Sequence, residues 1–313
     1  MTLAIGIDLG GTNARVALVD GEGHVQQLDK VKLEDRAPEA VARLLGSSVK
    51  ALSAKRGAQA LPVGVGMAAQ ILGGSGVVSV SPNLGWRDVP FGKLLASEIG
   101  RTPNLMNDLG AAAWGEAAVG AARGERDVIL VFVGTGVGSG LILDGKLYTG
   151  HLGVAGEFGH VKVRPGGRRC GCGELGCLEA YVGGRMLGER IQERIDGGAL
   201  TSLKTGDGAS QLAQAVAAGD ATALELWTEA IELLSVAIGN LCTVLNPKKL
   251  ILGGGVLAGS PTLKDAVKRG VFEYALRVSR VGLDVVDAQL GDDSGVVGSA
   301  LYAIHSAAPM VGK

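Results

Sequence analysis

Aromatic residues are scarce in this chain. Phe, Trp and Tyr make up 4% of its 313 residues, so its core must be built from Ala, Val, Leu and Ile. An excess of basic charge is missing too. The formal net charge is −1, which argues against nucleic acid as a main partner, because phosphate binding needs a basic face. Long hydrophobic runs are also lacking. The longest apolar stretch, Ala230 to Leu245, is interrupted by Glu232 and falls short of a membrane span. The opening Met1-Thr2-Leu3-Ala4 has no basic n-region or cleavage site, so no secretory signal is expected. Cysteine is rare, at four residues, and three of these cluster beside a histidine. That pattern reads as metal ligands in a reducing, cytoplasmic compartment rather than as disulfides. The fourth, Cys242, lies in an apolar helical stretch and is expected to be a small core residue. No Pro-rich or Ser-rich linker divides the chain, although its length suits two domains or one large one.

What the chain does have is an apolar content of 47% and 52 glycines. Several of these glycines fall between a strand and the next element, where backbone must come close to a ligand. Strands are expected at Ala4–Asp8, Ala14–Val19, Val25–Val31, Val63–Met67, Val77–Val80, Asn104–Met106, Val128–Val133, Ser139–Leu143, Lys146–Tyr148, Leu250–Leu252 and Leu283–Val286. Helices are expected from Pro38 to about Lys55, at Phe91–Ile99 and Leu109–Val119, over much of the segment after Leu178, and at Val296–His305. Gly150 to Leu178 reads as irregular. The segments I-G-I-D-L-G-G-T-N-A-R-V-A-L-V and V-I-L-V-F-V-G-T-G-V-G-S-G-L-I-L share one plan: strand, Gly-Thr turn, strand. They lie about 123 residues apart, a spacing that fits two duplicated halves facing each other across a cleft.

The most specific motif is H-x9-C-x-C-x4-C, made by His160, Cys170, Cys172 and Cys177. One nitrogen and three sulfurs suit tetrahedral Zn²⁺, and four protein ligands leave no open position for water. The expected metal therefore shapes a loop, about 150–179, and does no chemistry itself. Glu157 lies three residues before the histidine and Glu179 two residues after the last cysteine, so the stapled loop carries a carboxylate at each end.

Three glycine clusters leave strands: Gly10-Gly11-Thr12-Asn13, Gly134-Thr135-Gly136 and Gly253-Gly254-Gly255. Freed of Cβ atoms, their N–H groups can turn toward an anion, and the threonines add hydroxyl donors. Any one of them could be only a tight turn, but three together point to a phosphate-bearing ligand. Other readings of the glycines fail. Gly140 to Lys146 resembles a Walker A loop, but Leu147 stands where Ser or Thr is required. Gly253-x-Gly255-x-x-Ala258 loosely matches a dinucleotide fingerprint, yet only about sixty residues follow it, too few for the rest of that sheet. Asp8, just before the first loop, is placed to hold Mg²⁺ through water, the alternative being a turn aspartate.

Asn83, Asn107, Asp108, Glu157, His160 and Glu179 supply the donors and acceptors that vicinal hydroxyls need. Asp108 has two readings: a base that accepts a proton from an attacking hydroxyl, or an N-cap for the helix that follows it.

D-L-G-G-T-N, S-P-N-L-G-W, N-D, G-T-G-V-G-S-G, G-E-F-G-H and C-G-C-G-E-L-G-C-L-E together resemble the ROK family (repressors, ORFs, kinases) of sugar kinases, in the family's order from about Ile5 to Ala300. The resemblance implies an actin/hexokinase-like fold (ribonuclease H-like, duplicated) of two α/β domains around an interdomain cleft. The small domain would comprise 1–107 plus about 297–313, and the large one 108–296. It further implies that Asp108 is the base toward a sugar 6-hydroxyl and that Asn83, Asn107, Glu157, His160 and Glu179 hold the sugar. Gly11, Thr12 and Thr135 would contact ATP phosphates, and Gly254 and Gly255 would lie near the nucleoside. His160 would bridge zinc and sugar. Many members carry Pro-Gly after the fourth strand. Here Gly66-Met67-Ala68-Ala69-Gln70 is more like the glucose-phosphorylating branch and narrows the room for an N-acetyl group.

The implied activity is ATP-dependent phosphorylation of glucose at the 6-hydroxyl, with Mg²⁺ and structural Zn²⁺, in a homodimer. Kinases for fructose, mannose or an N-acetylhexosamine are the neighbouring alternatives. Polyphosphate as donor would want a basic track, and Arg164, Arg168 and Arg169 are too few to argue one. A sugar-responsive transcription regulator would need a DNA-binding segment, and only three residues precede the first expected strand. A non-catalytic sensor would lack Asp108 or a phosphate loop, and both are present.

Overall fold

The computed structural model describes residues 2–54 and 60–307. Met1, the expected helix end near Lys55 and the last residues of the expected 297–313 segment lie outside them. The described residues fall into two compact units, one within the spans Met1–Val128, Gly140–Gly156 and Ala288–Lys313, the other within Ile129–Ser139 and Glu157–Asp287.

In the first unit, β1 (Leu3–Leu9), β2 (Asn13–Asp20), β3 (Val25–Lys32), β4 (Val63–Met67) and β8 (Asn104–Asn107) form a sheet in the order β3-β2-β1-β4-β8. β1 to β3 make an antiparallel meander, and β4 and β8 run parallel to β1. Between β4 and β8 the chain inserts a small antiparallel sheet of β5 (Gln70–Leu72), β6 (Val77–Ser81) and β7 (Trp86–Val89). Sequence reading misses β5 and β7, because three or four residues are too few to show a period.

The five-stranded sheet is buried on both faces. On one, Ile5, Ile7, Leu9, Val16, Leu18, Val63 and Val65 meet Val41, Leu45, Val49 and Leu52 of α1 (Pro38–Ala54) and Phe91 and Leu95 of α2 (Phe91–Ile99). The spacing of the α1 residues is the helical stripe that the sequence shows. On the other face, Ala4, Ala17 and Val19 meet Val296, Val297, Ala300 and Leu301. Here Gly6 and Gly64 admit the helix backbone, since a Cβ on either would lie 1.9 Å from a carbonyl oxygen of Val296 or Ser299. α3 (Asp108–Ala118) continues directly from β8.

β9 (Val128–Val133), β10 (Val137–Leu143), β11 (Lys146–Leu147), β12 (Lys249–Gly253) and β13 (Asp284–Asp287) form a second sheet in the order β11-β10-β9-β12-β13. Its order repeats that of the first, as the internal echo predicts. Asp144 and Gly145 have φ of +51° and +71° and form the β10–β11 turn, not a phosphate loop.

The helices of the second unit are α4 (Glu179–Val182), α5 (Gly184–Asp196), α6 (Ala209–Ala217), α7 (Ala221–Leu245), α8 (Gly255–Ala258) and α9 (Pro261–Tyr274). The last helix among the described residues, α10 (Ser294–Ala307), belongs to the first unit and supplies its second core face. α7 departs from expectation, because its 25 residues are long and apolar enough, by length and composition, to cross a membrane. Its packing gives the apolarity another cause. Leu226, Trp227, Leu234 and Ile238 are buried, and the helix packs on α6 and α9. Cys242 is fully buried in that face, as expected, and burial pushes its thiol up to about 12.

Candidate active site and metal centre

In the first unit the loop 10–13 closes with Gly10 N–H donating to Asn13 O at 3.0 Å, and Thr12 and Asn13 are exposed. Gly11 lies against the turn that carries Asn83: a Cβ at residue 11 would be 2.8 Å from Asn83 O and 2.9 Å from its Cβ. The glycine is therefore required for close approach. Asp8 lies under this loop, facing Gly295 near the start of α10, where a Cβ would be 3.0 Å from its Cγ. Burial raises the Asp8 pKa, Arg15 opposes that, and Asp292 adds to it. A partly desolvated carboxylate in this position gains from a nearby cation. Arg15 is held in turn by Asp293 and the Asp292 carbonyl.

The start of α3 bears on both readings of Asp108, whose Oδ1 accepts from Leu109 N–H at 2.9 Å. The cap is Asn107, whose Oδ1 accepts from Leu109 N–H at 2.9 Å and Gly110 N–H at 3.3 Å. Asp108 is the first helical residue. The Asn107 amide also donates to Ala69 O at 3.4 Å, which leaves one amide hydrogen for a ligand. Ser81 Oγ donates to Ala68 O at 3.1 Å, so the Ala68-Ala69 bend is held on both sides.

In the second unit, the candidate ligand atoms of His160, Cys170, Cys172 and Cys177 all lie within 4.8 Å of one another. A tetrahedron of zinc–sulfur bonds about 2.3 Å long has edges of about 3.8 Å. Cys172 Sγ and Cys177 Sγ are 3.8 Å apart, and Cys170 Sγ is 3.7 Å from His160 Nδ1. The residues fit zinc. The ring's other nitrogen, Nε2, is 3.7 Å from a Glu157 carboxylate oxygen, so Nδ1 faces the sulfurs while Nε2 faces the glutamate. Lys162 pairs with Cys177 in a short antiparallel bridge and its Nζ donates to Cys177 Sγ at 3.0 Å. A cation here offsets the charge that three thiolates leave on a divalent metal. Sequence reading passed over this lysine, though its place two residues after His160 is a weak signal.

A second set of residues supports the metal loop from behind. The guanidinium groups of Arg164 and Arg190 lie 5.9 and 5.7 Å from the centroid of the Tyr181 ring. The Tyr181 hydroxyl accepts from Arg168 N–H at 2.8 Å. Arg168 forks onto Glu193, and Arg164 reaches Glu229 at 2.9 Å. Two of the three arginines weighed as a basic track thus have glutamate partners.

Glu179 starts α4, and its Oε2 accepts from Val137 N–H at 2.9 Å. That bond places it against the loop Gly134-Thr135-Gly136. The third cluster turns at Gly254, with φ of +88°, where a Cβ would lie 2.5 Å from Val133 O. Gly255, by contrast, borders open space and is exposed.

The ROK family profile matches residues 4–306. The chain belongs to the ROK family. A glucokinase of Streptomyces coelicolor is 33% identical over 96% of this chain and 97% of its own length. Among solved structures, a ROK hexokinase of Thermus thermophilus superposes with a TM-score of 0.84 at 30% identity, covering 97% of this chain and 99% of that one. A ROK family glucokinase of Streptomyces griseus in complex with glucose and AMPPNP gives 0.79 at 31% identity, with the same coverage. The fold is accordingly the actin/hexokinase-like α/β fold of ROK kinases. Within it, the first unit carries Asp8, Gly10 to Asn13, Asn83, Asn107 and Asp108. The second carries Gly134 to Gly136, Glu157, His160, the three cysteines, Glu179, Gly254 and Gly255.

Proposed function

We propose that the protein is an ATP-dependent hexose kinase that phosphorylates the 6-hydroxyl of glucose, a glucokinase. The observation that carries this reading is near-full-length likeness to a ROK glucokinase that holds glucose and AMPPNP, in a chain that keeps every residue of the motif set. Asn83, Asn107, Glu157, Glu179 and the Nε2 of His160 hold the sugar hydroxyls. Gly10 to Asn13 and Gly134 to Gly136 offer N–H and hydroxyl donors to the phosphates, and Gly254 and Gly255 lie by the nucleoside. Asp108 accepts the 6-hydroxyl proton as the sugar oxygen bonds to the γ-phosphorus and the bond from the γ-phosphorus to the β–γ bridging oxygen breaks, releasing ADP, while positioning and electrostatics supply most of the rate gain. Zinc held by His160, Cys170, Cys172 and Cys177 supplies shape rather than chemistry. Asp8 would hold, through water, the Mg²⁺ that accompanies ATP, and that ion would neutralise phosphate charge.

The Ala68-Ala69 bend, held by Asn107 and Ser81, supports glucose over an N-acetylhexosamine. The pairing of Arg164 and Arg168 with glutamates supports ATP over polyphosphate. We take the two units as the two domains. A cytoplasmic homodimer completes the reading. Exposed Leu276, Val278 and Val281 follow α9 beside exposed Val244, and the Leu276 N–H donates to Thr243 Oγ1 at 2.9 Å. An apolar patch of this kind suits a partner copy.

The test is a coupled ADP-release assay over a panel of hexoses, with ATP and polyphosphate as donors, on wild type and Asp108→Ala. Glucose with ATP should be the best pair. The variant should lose at least about 100-fold in kcat with little change in KM for ATP. No turnover of any hexose, or near-normal turnover by the variant, refutes the reading or the role of Asp108 respectively.

A further inference from the structure

The Glu179 carboxylate is shared between two neighbours. Its Oε1 lies 3.8 Å from Cys170 Sγ, on the side of the metal ligands. Its Oε2 accepts from Val137 N–H at 2.9 Å, immediately after the loop Gly134-Thr135-Gly136. The contact is close enough to exclude a side chain, since a Cβ on Gly136 would lie 2.4 Å from that oxygen. The residues that follow Glu179 hold the other end of the loop. Gly184 N–H donates to Gly134 O at 2.8 Å and Arg185 N–H to Thr135 O at 3.1 Å. Gly183 N–H donates to Glu179 O at 3.0 Å, which ties both grips to one short helix. A residue that only held a sugar hydroxyl would not need an oxygen locked onto backbone. The first unit has the same juxtaposition, with Gly11 packed on the turn of Asn83. In each unit, a phosphate-loop glycine is in contact with a residue assigned to the sugar.

We propose that Glu179 is a positioning residue for the phosphate loop. Through its bond to Val137 N–H it fixes the conformation of Gly134-Thr135-Gly136, and so joins the metal-stapled sugar loop to nucleotide binding. The inference rests on the kinase reading and adds to it a consequence for ADP and ATP in the absence of sugar. A charge-assisted bond to a partly buried N–H holds the loop in one state. Without it, the loop's donors must be ordered by the nucleotide itself, which lowers affinity.

The experiment is calorimetric titration of ADP·Mg²⁺ into sugar-free protein, with zinc content and thermal melting checked for each variant. Glu179→Ala should weaken ADP binding by about tenfold or more, the loss of one such bond. Glu179→Gln keeps a carbonyl oxygen for the Val137 N–H, so it should bind ADP within about threefold of wild type. KM for glucose should rise in both variants, because both lose the charge on the sugar side. Gly136→Ala leaves Glu179 in place but puts a methyl where its oxygen lies, and should weaken ADP binding as Glu179→Ala does. It also carries the test if the alanine variant fails to fold. If Glu179→Ala is folded, holds zinc and binds ADP within about twofold of wild type, the inference is overturned. Equal losses in the Gln and Ala variants also overturn it, since the shared acceptor is then not the cause. If wild type itself binds no ADP, the kinase reading falls as well. If wild type phosphorylates glucose while the alanine variant keeps its ADP affinity, only this inference falls.

Discussion

Glu116 is fully buried near the end of α3, the helix that begins at Asp108, and has no role in the motif set. Its Oε2 accepts from Ala121 N–H at 2.8 Å, and its Oε1 accepts from Gln289 and Leu290 N–H at 2.8 Å each. One carboxylate thus fixes the turn after α3 and the segment that leads into α10. Gly120 makes room for it, since a Cβ there would lie 2.2 Å from Oε2. Glu116→Ala removes the carboxylate that three backbone donors share. At about 1–3 kcal/mol each, partly relieved by relaxation, the cost should be about 3–5 kcal/mol. Glu116→Gln keeps an oxygen for the 289–290 pair but turns an NH₂ toward Ala121 N–H. One charge-assisted bond is lost, at about 1.5–3 kcal/mol. The assay is urea unfolding followed by tryptophan fluorescence, because Trp114 of α3 packs on Tyr302 and His305 of α10. The midpoint should fall in the order wild type, Gln, Ala, with an unchanged slope. Both variants within about 0.5 kcal/mol of wild type would mean that the three bonds contribute nothing net, and the reasoning fails.

Three further outcomes are expected. Chelation, or Cys172→Ser, should abolish glucose binding before the protein unfolds, since the metal loop carries Glu157 and Glu179; calorimetry beside circular dichroism checks this, and normal glucose binding by chelated protein would break the link. Gly254→Ala forces a side chain into a glycine-only backbone state with Val133 O at 2.5 Å, so it should cost at least about 1–3 kcal/mol and raise KM for ATP more than for glucose. Asp220 caps α7 through Ala223 N–H and also accepts from Ser202 N–H, Thr201 and Ser202, and these bonds hold its pKa well below the ordinary carboxylate value. A lowered folded-state pKa gives stability that is present above about pH 4 and lost as pH falls below it. Urea midpoints of Asp220→Asn should therefore fall less steeply with acid than those of wild type, and parallel curves would remove the effect.

The elements were legible where the chain repeats a period long enough to see. Val63–Met67, Phe91–Ile99 and Val128–Val133 match their expected bounds to the residue. In each, an apolar run or stripe is bounded on at least one side by Pro or Gly: Pro62, Pro90 and Gly100, and Gly134. β5 and β7 were not legible, because their pairing is decided by neighbours on β6 rather than by their own pattern. α7 lies within the segment expected to be mostly helical, but its start was not specified by the apolar stretch Ala230 to Leu245. Ala221 to Glu229 carries polar residues on one face, yet the Asp220 cap and burial of Ala223, Leu226 and Trp227 extend the helix by more than two turns.

The site divides along a similar line. His160 and the three cysteines stand out because few residue types bind zinc and their spacing is unusual. Asp108, by contrast, read equally well as a base or a cap. In the structure the N-cap position falls to Asn107, set by the backbone angles at the β8–α3 junction, while Asp108 Oδ1 also accepts from Leu109 N–H at 2.9 Å. Glu116, Lys162, Arg190 and the Val137 bond to Glu179 leave almost no trace in sequence, because what they hold is backbone or the back of another side chain. A backbone N–H is carried by nearly every residue type, so the acceptor that needs it has no partner to search for. Ligand-facing residues can therefore be recognised by type, whereas the residues that hold them in place need coordinates. For this chain that difference marks where mutation should surprise. Substitutions at Glu116 or Gly136, outside the sugar set, should disturb function as much as several inside it.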